Sequence, residues 1–86
     1  MFDIKLTPQA EHAYRHLRGK IRERVNRVFE RLEQGIFHHR NISSLRGRYS
    51  GSLRYRLGNW RIVFHIDRET QVVWIEAITL RGGAYR

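Results

Sequence analysis

Residues 52–67 read SLRYRLGNWRIVFHID. Leu53, Tyr55 and Leu57 alternate with Arg54 and Arg56, the two-residue period of a strand with one apolar face. Gly58-Asn59 follows, a two-residue hairpin signal in which glycine supplies the positive φ of a type II′ turn. A second alternating run starts at Trp60. A two-residue loop fixes the register, placing Leu57 opposite Trp60, Tyr55 opposite Ile62 and Leu53 opposite Phe64 on the core face. On the other face Arg56 lies opposite Arg61, and Arg54 opposite Val63. Like charges placed directly across a strand pair are destabilising, by up to about 1 kcal/mol. An anion held between the arginines removes that cost. The alternative is a solvated face on which long side chains splay apart and cover apolar surface with their stems.

Working outward, residues 71–80 read as a third strand, reached through a turn at Arg68-Glu69-Thr70. A three-residue loop keeps the apolar faces matched, pairing Phe64 with Trp74, Ile66 with Val72 and Arg61 with Ala77. In that register Arg81 emerges on the arginine face, and Glu76 interrupts the apolar one. Upstream, residues 36–51 carry no period and contain Gly47 and Gly51, so they read as a loop. Before them, Ile21, Val25, Val28, Phe29 and Leu32 recur at helical spacing, with Gly35 as the natural C-cap. A shorter helix precedes it, with Thr7 as N-cap, Pro8 at the first helical position, and Ala10, Ala13, Tyr14 and Leu17 on one face. Phe2 to Leu6 alternates as an opening strand. The expected fold is α+β: a strand, an antiparallel two-helix hairpin, then a three-stranded antiparallel meander. The helices pack on one face of a four-stranded sheet. At 86 residues this is one domain, 1–86.

Charge is the dominant feature of the composition. Lys and Arg total 17 against 8 Asp and Glu, a net charge of +9. Only Lys5 and Lys20 are lysine, and the remaining basic residues are arginine, whose planar fork grips phosphate oxygens bidentately. A polyanionic partner is the expectation: nucleic acid, or an acidic protein covering the same surface. There is no cysteine, which excludes disulfides and thiolate metal sites and suits a reducing cytoplasm. No apolar run marks a signal peptide or membrane span. His12 and His16 lie one helical turn apart but lack a third ligand, and His38, His39 and His65 carry no metal-binding pattern. No metal or other cofactor is expected.

The run LRGRYSGSLRYRLGNWRIVFHID, with the tail LRGGAYR, resembles the RelE/ParE superfamily of bacterial type II toxin-antitoxin toxins. The matching parts are Leu45-Arg46-Gly47, Gly51, Arg54 and Arg56, then Gly58-Asn59-Trp60-Arg61-Ile62-Val63-Phe64, then Arg81 and Tyr85. Leu80 departs from the pattern, because many RelE-like tails carry histidine before the last arginine. The RelE-like branch implies a ribosome-dependent mRNA interferase, a metal-independent endoribonuclease. In that chemistry the ribose 2′-hydroxyl attacks the adjacent phosphate and leaves a 2′,3′-cyclic phosphate. By carry-over Arg61, Arg81 and Tyr85 are the catalytic candidates, and Arg54, Arg56 and Arg48 the phosphate- and RNA-binding ones. Arg81 would face the leaving oxygen. Since an arginine pKa lies above about 12, it would stabilise charge rather than donate a proton. Tyr85 would act as base or stacking platform.

The resemblance also implies partners: a cognate acidic antitoxin, folding across the helix pair or displacing the tail, and the ribosome with its mRNA. Operator DNA would be bound only through the antitoxin complex. Two other functions fit the same basic face. One is a ParE-like DNA gyrase inhibitor, whose relatives generally lack the Arg-to-Tyr tail. The other is a non-catalytic RNA-binding protein.

Overall fold

The structure is a computed structural model that describes residues 1–47 and 51–80. Strand β1 (Asp3–Leu6) leads into helix α1 (Pro8–His16) and then α2 (Gly19–Glu33). The chain continues through β2 (Ile42–Ser44), β3 (Leu53–Leu57), β4 (Trp60–Asp67) and β5 (Val72–Leu80). The five strands form one sheet in the order β1-β5-β4-β3-β2. Neighbours are antiparallel except β1, which runs parallel to β5. The parallel pair joins the first and last strands, so the helices and the β2–β3–β4 strands all lie between its two members.

Thr7 explains how the helices join the sheet. Its Oγ1 accepts from the Ala10 amide, capping α1, and donates to the Glu76 carbonyl at 2.8 Å. Its own amide reaches the Ile75 carbonyl at 3.0 Å. Ala10, Leu17, Val25, Val28 and Leu32 from the helices then bury against Tyr55, Leu57, Ile62, Phe64, Val73, Ile75 and Ile78. The two helices meet where Tyr14 stacks on Phe29 with centroids 5.7 Å apart and donates its hydroxyl to the Asn26 side chain. Among the described residues the opposite sheet face carries no helix.

The expected class holds, with the helices on one face of the sheet, but three details are corrected. The sheet has five strands rather than four. Ile42–Ser44 pairs with Leu53–Tyr55 although its sequence, ISS, is too short to show a period. The β4–β5 turn spans 68–71 rather than 68–70, because Gln71 takes a left-handed φ of 58° and Asp67 accepts from the amides of Glu69 and Thr70. Phe64 therefore faces Ile75, Ile66 faces Val73 and His65 faces Trp74. The third correction is a β-bulge. One extra residue, Glu76, is inserted on β5 opposite Val63 and Phe64, so Arg61 pairs with Thr79 rather than Ala77. The longer turn puts Val73 and Ile75 on the core face and so turns Glu76 out of it, and the bulge then returns Ile78 to the core.

Candidate nucleic-acid interface

The β3–β4 hairpin has the expected register at every position, from Leu57 opposite Trp60 to Leu53 opposite Phe64. Gly58 has φ 62° and Asn59 stays at negative φ, the signature of a type II′ turn. Arg56 and Arg61 are consequently direct cross-strand partners, and Arg54 lies opposite the buried Val63. The Arg56 amide points away from β4, donating to the Asn41 carbonyl at 2.8 Å. The Arg56–Arg61 pair is thus of the non-hydrogen-bonded type, in which opposing side chains come closest.

The three guanidinium groups differ in their surroundings. Arg54 is half-buried and donates from Nη2 to the Ser43 hydroxyl at 3.2 Å. Its Nε is buried with no hydrogen-bond partner among the described residues. Arg61 is half-buried and Arg56 exposed. Among the described residues the ion pairs are Arg15–Glu11 and His65–Glu76, so none of the three arginines meets a carboxylate. Three unneutralised cations within one strand pair, one with an unused buried donor, form an arrangement suited to a phosphodiester. Arg48, Arg81 and Tyr85, the other candidates, lie outside the described residues.

A polar cluster that the sequence reading missed lies further along the same face. Glu76 accepts from the Ser52 hydroxyl at 2.9 Å and from His65 Nδ1 at 2.7 Å. The half-buried carboxylate therefore has both oxygens occupied, and the His65 ring is held by it. The signal was present in the sequence, since a glutamate placed on the core face by the expected register marks that register as shifted. Among the described residues no group of three His, Asp or Glu side chains could hold a metal ion.

A family model described as the ParE toxin of a type II toxin-antitoxin system matches residues 4–85. Among solved structures, the archaeal RelE–RelB complex from Pyrococcus horikoshii superposes with a TM-score of 0.79 at 23% identity, covering 96% of this chain and 98% of that one. The isolated E. coli RelE toxin gives 0.79 at 17%, covering 98% and 88%. A YoeB/ParE toxin from Agrobacterium tumefaciens gives 0.81 at 14%, covering 93% and 99%. At these identities the likeness is one of fold. No curated protein matches the chain.

Proposed function

The chain belongs to the ParE toxin family of type II toxin-antitoxin systems, within the RelE/ParE superfamily, and from that premise we propose that it is a metal-independent mRNA endonuclease. The observation that supports this reading is the Arg54–Arg56–Arg61 cluster, with its directly opposed pair and no carboxylate partner among the described residues.

Cleavage by the 2′-hydroxyl forms an O2′–P bond and breaks the P–O5′ bond. One proton leaves O2′ and one arrives at O5′. Negative charge grows on the non-bridging phosphate oxygens as the bond order shifts. Fixed guanidinium groups stabilise that charge without having to reorganise. Arg61 holds the scissile phosphate, and Arg54 and Arg56 bind it and its neighbour, with Arg48 extending the contact. Arg81 supports the leaving oxygen. Tyr85 accepts the 2′-proton or serves as a stacking platform for a base. The ribosome supplies the mRNA in an extended, in-line geometry, which a small open sheet face cannot impose by itself.

The archaeal relative is a complex of RelE with RelB, and a similar arrangement applies here. A cognate acidic antitoxin neutralises part of the +9 charge and binds operator DNA on behalf of the pair. The setting is cytoplasmic, where mRNA and ribosomes are.

A second reading rests on the family description itself, which is ParE rather than RelE. On that reading the same basic face inhibits DNA gyrase and cuts nothing. The two separate in parallel assays with purified protein. A nuclease arrests a cell-free translation reaction and leaves gyrase supercoiling intact. A gyrase inhibitor does the reverse. Arrest of translation that vanishes in Arg61→Ala supports the nuclease. Inhibited supercoiling with unimpaired translation rejects it.

A further inference from the structure

A second basic concavity lies on the other side of the β3–β4 hairpin. It measures about 310 Å³ and is lined by Arg24, Arg27, Arg31, His39, Asn41 and Tyr55, with Leu57 at its base. The three arginines are spaced three and four residues apart, so they form one stripe along α2. They have no carboxylate partner among the described residues.

The cleft is built rather than incidental. Arg31 donates from Nη1 to the buried Tyr55 hydroxyl at 2.9 Å, which fixes the guanidinium against the sheet. His39 stacks on the Tyr55 ring, with centroids 5.5 Å apart and planes 20° apart. The Asn41 amide donates to His39 Nδ1 at 3.1 Å, which leaves the ring's N–H at Nε2. The turn that holds His39 is itself pinned to β3 through Arg56 N–H to Asn41 O. That bond ties this cleft to Arg56, a member of the arginine cluster on the opposite sheet face.

The geometry points to a second phosphate-binding site here, for the backbone of a single-stranded RNA that also crosses the Arg54–Arg56–Arg61 face. Its ligand class rests on the nuclease reading, but its existence does not require cleavage. Phosphate is favoured over an acidic protein segment by the composition of the lining. Guanidinium, imidazole, amide and phenol groups dominate it, leaving little apolar seat for an amphipathic helix. The groove between β1 and the helices differs in kind, since Glu11, Glu30 and Glu33 share its lining with Ile4, Leu6, Tyr14 and Phe29, and its carboxylates would repel a phosphate. Exposed His39 over Tyr55 adds a stacking surface for a base.

The test is fluorescence anisotropy with a short 2′-O-methyl single-stranded RNA, which cannot be cut, titrated at several salt concentrations. Arg24→Gln/Arg27→Gln is compared with wild type and with Arg24→Lys/Arg27→Lys. Both arginines are exposed, so circular dichroism should show intact folding. Loss of two phosphate contacts should weaken binding several-fold and flatten the log–log salt slope by about 1.4. The lysine variant should keep most of the slope. Unchanged affinity and slope in the glutamine variant would overturn the proposal. So would a loss confined to a polyglutamate probe, which would assign the cleft to an acidic protein. A wild-type protein that binds RNA through this cleft without cutting mRNA would reject the nuclease reading alone.

Discussion

Arg56 on β3 and Arg61 on β4 face each other as direct partners one step from the Gly58-Asn59 turn, with their backbone amides turned away from each other. That relationship opposes stability to function. The side chains repel in the free protein, and on the proposed reading both reach the same phosphate.

Arg56→Thr should therefore raise stability by a few tenths to about 1 kcal/mol, because it removes the like-charge pair and places a good strand former there. Urea denaturation of the free protein reads this directly. The same variant should bind RNA more weakly. A loss of stability would mean that the two arginines are not in conflict.

Thr7→Ala removes two bonds at once, the cap of α1 and the link to the Glu76 carbonyl. The expected cost is about 1–2 kcal/mol in chemical denaturation. Thr7→Ser, which keeps both bonds, should recover most of it.

Glu76→Ala should cost about 1–3 kcal/mol, because it strips the shared acceptor from Ser52 and His65 at the bulge. Ser52→Ala should cost less, since the carboxylate keeps His65. Thermal unfolding of the two variants gives the order.

Asp67 accepts from the Glu69 and Thr70 amides in the β4–β5 turn, and its bonding to Thr70 holds its pKa below the ordinary carboxylate value. A depressed folded-state pKa contributes stability above the unfolded value and loses it as pH falls through the folded one. Asp67→Ala should therefore be less stable than wild type at neutral pH. The difference should shrink towards zero in acid, below the depressed pKa. Denaturant midpoints measured across that range check the sign.

The β3–β4 register was legible in the sequence because a two-residue turn with glycine leaves one pairing that keeps Tyr55, Ile62 and Phe64 inside. The helices were legible from their apolar spacing and from Thr7-Pro8. The next hairpin was not, for two physical reasons. Gln71 adopts a left-handed φ that its residue type does not advertise, and an inserted residue at Glu76 shifts the register after the turn. The β2 strand escaped because three residues carry no period, and its pairing with β3 is a tertiary fact. The arginine face emerged from alternation alone. The cleft under α2 did not, since Arg24, Arg27 and Arg31 meet His39 and Tyr55 only once the helix packs on the sheet.

The most direct measurement is primer extension on a reporter mRNA in a cell-free translation reaction, with wild-type protein, Arg61→Ala and a ribosome-free sample side by side. The account predicts new 5′ ends inside the reading frame with wild type. They should fall by about 10²–10³-fold with Arg61→Ala and disappear without ribosomes. Intact mRNA with folded wild-type protein would contradict it.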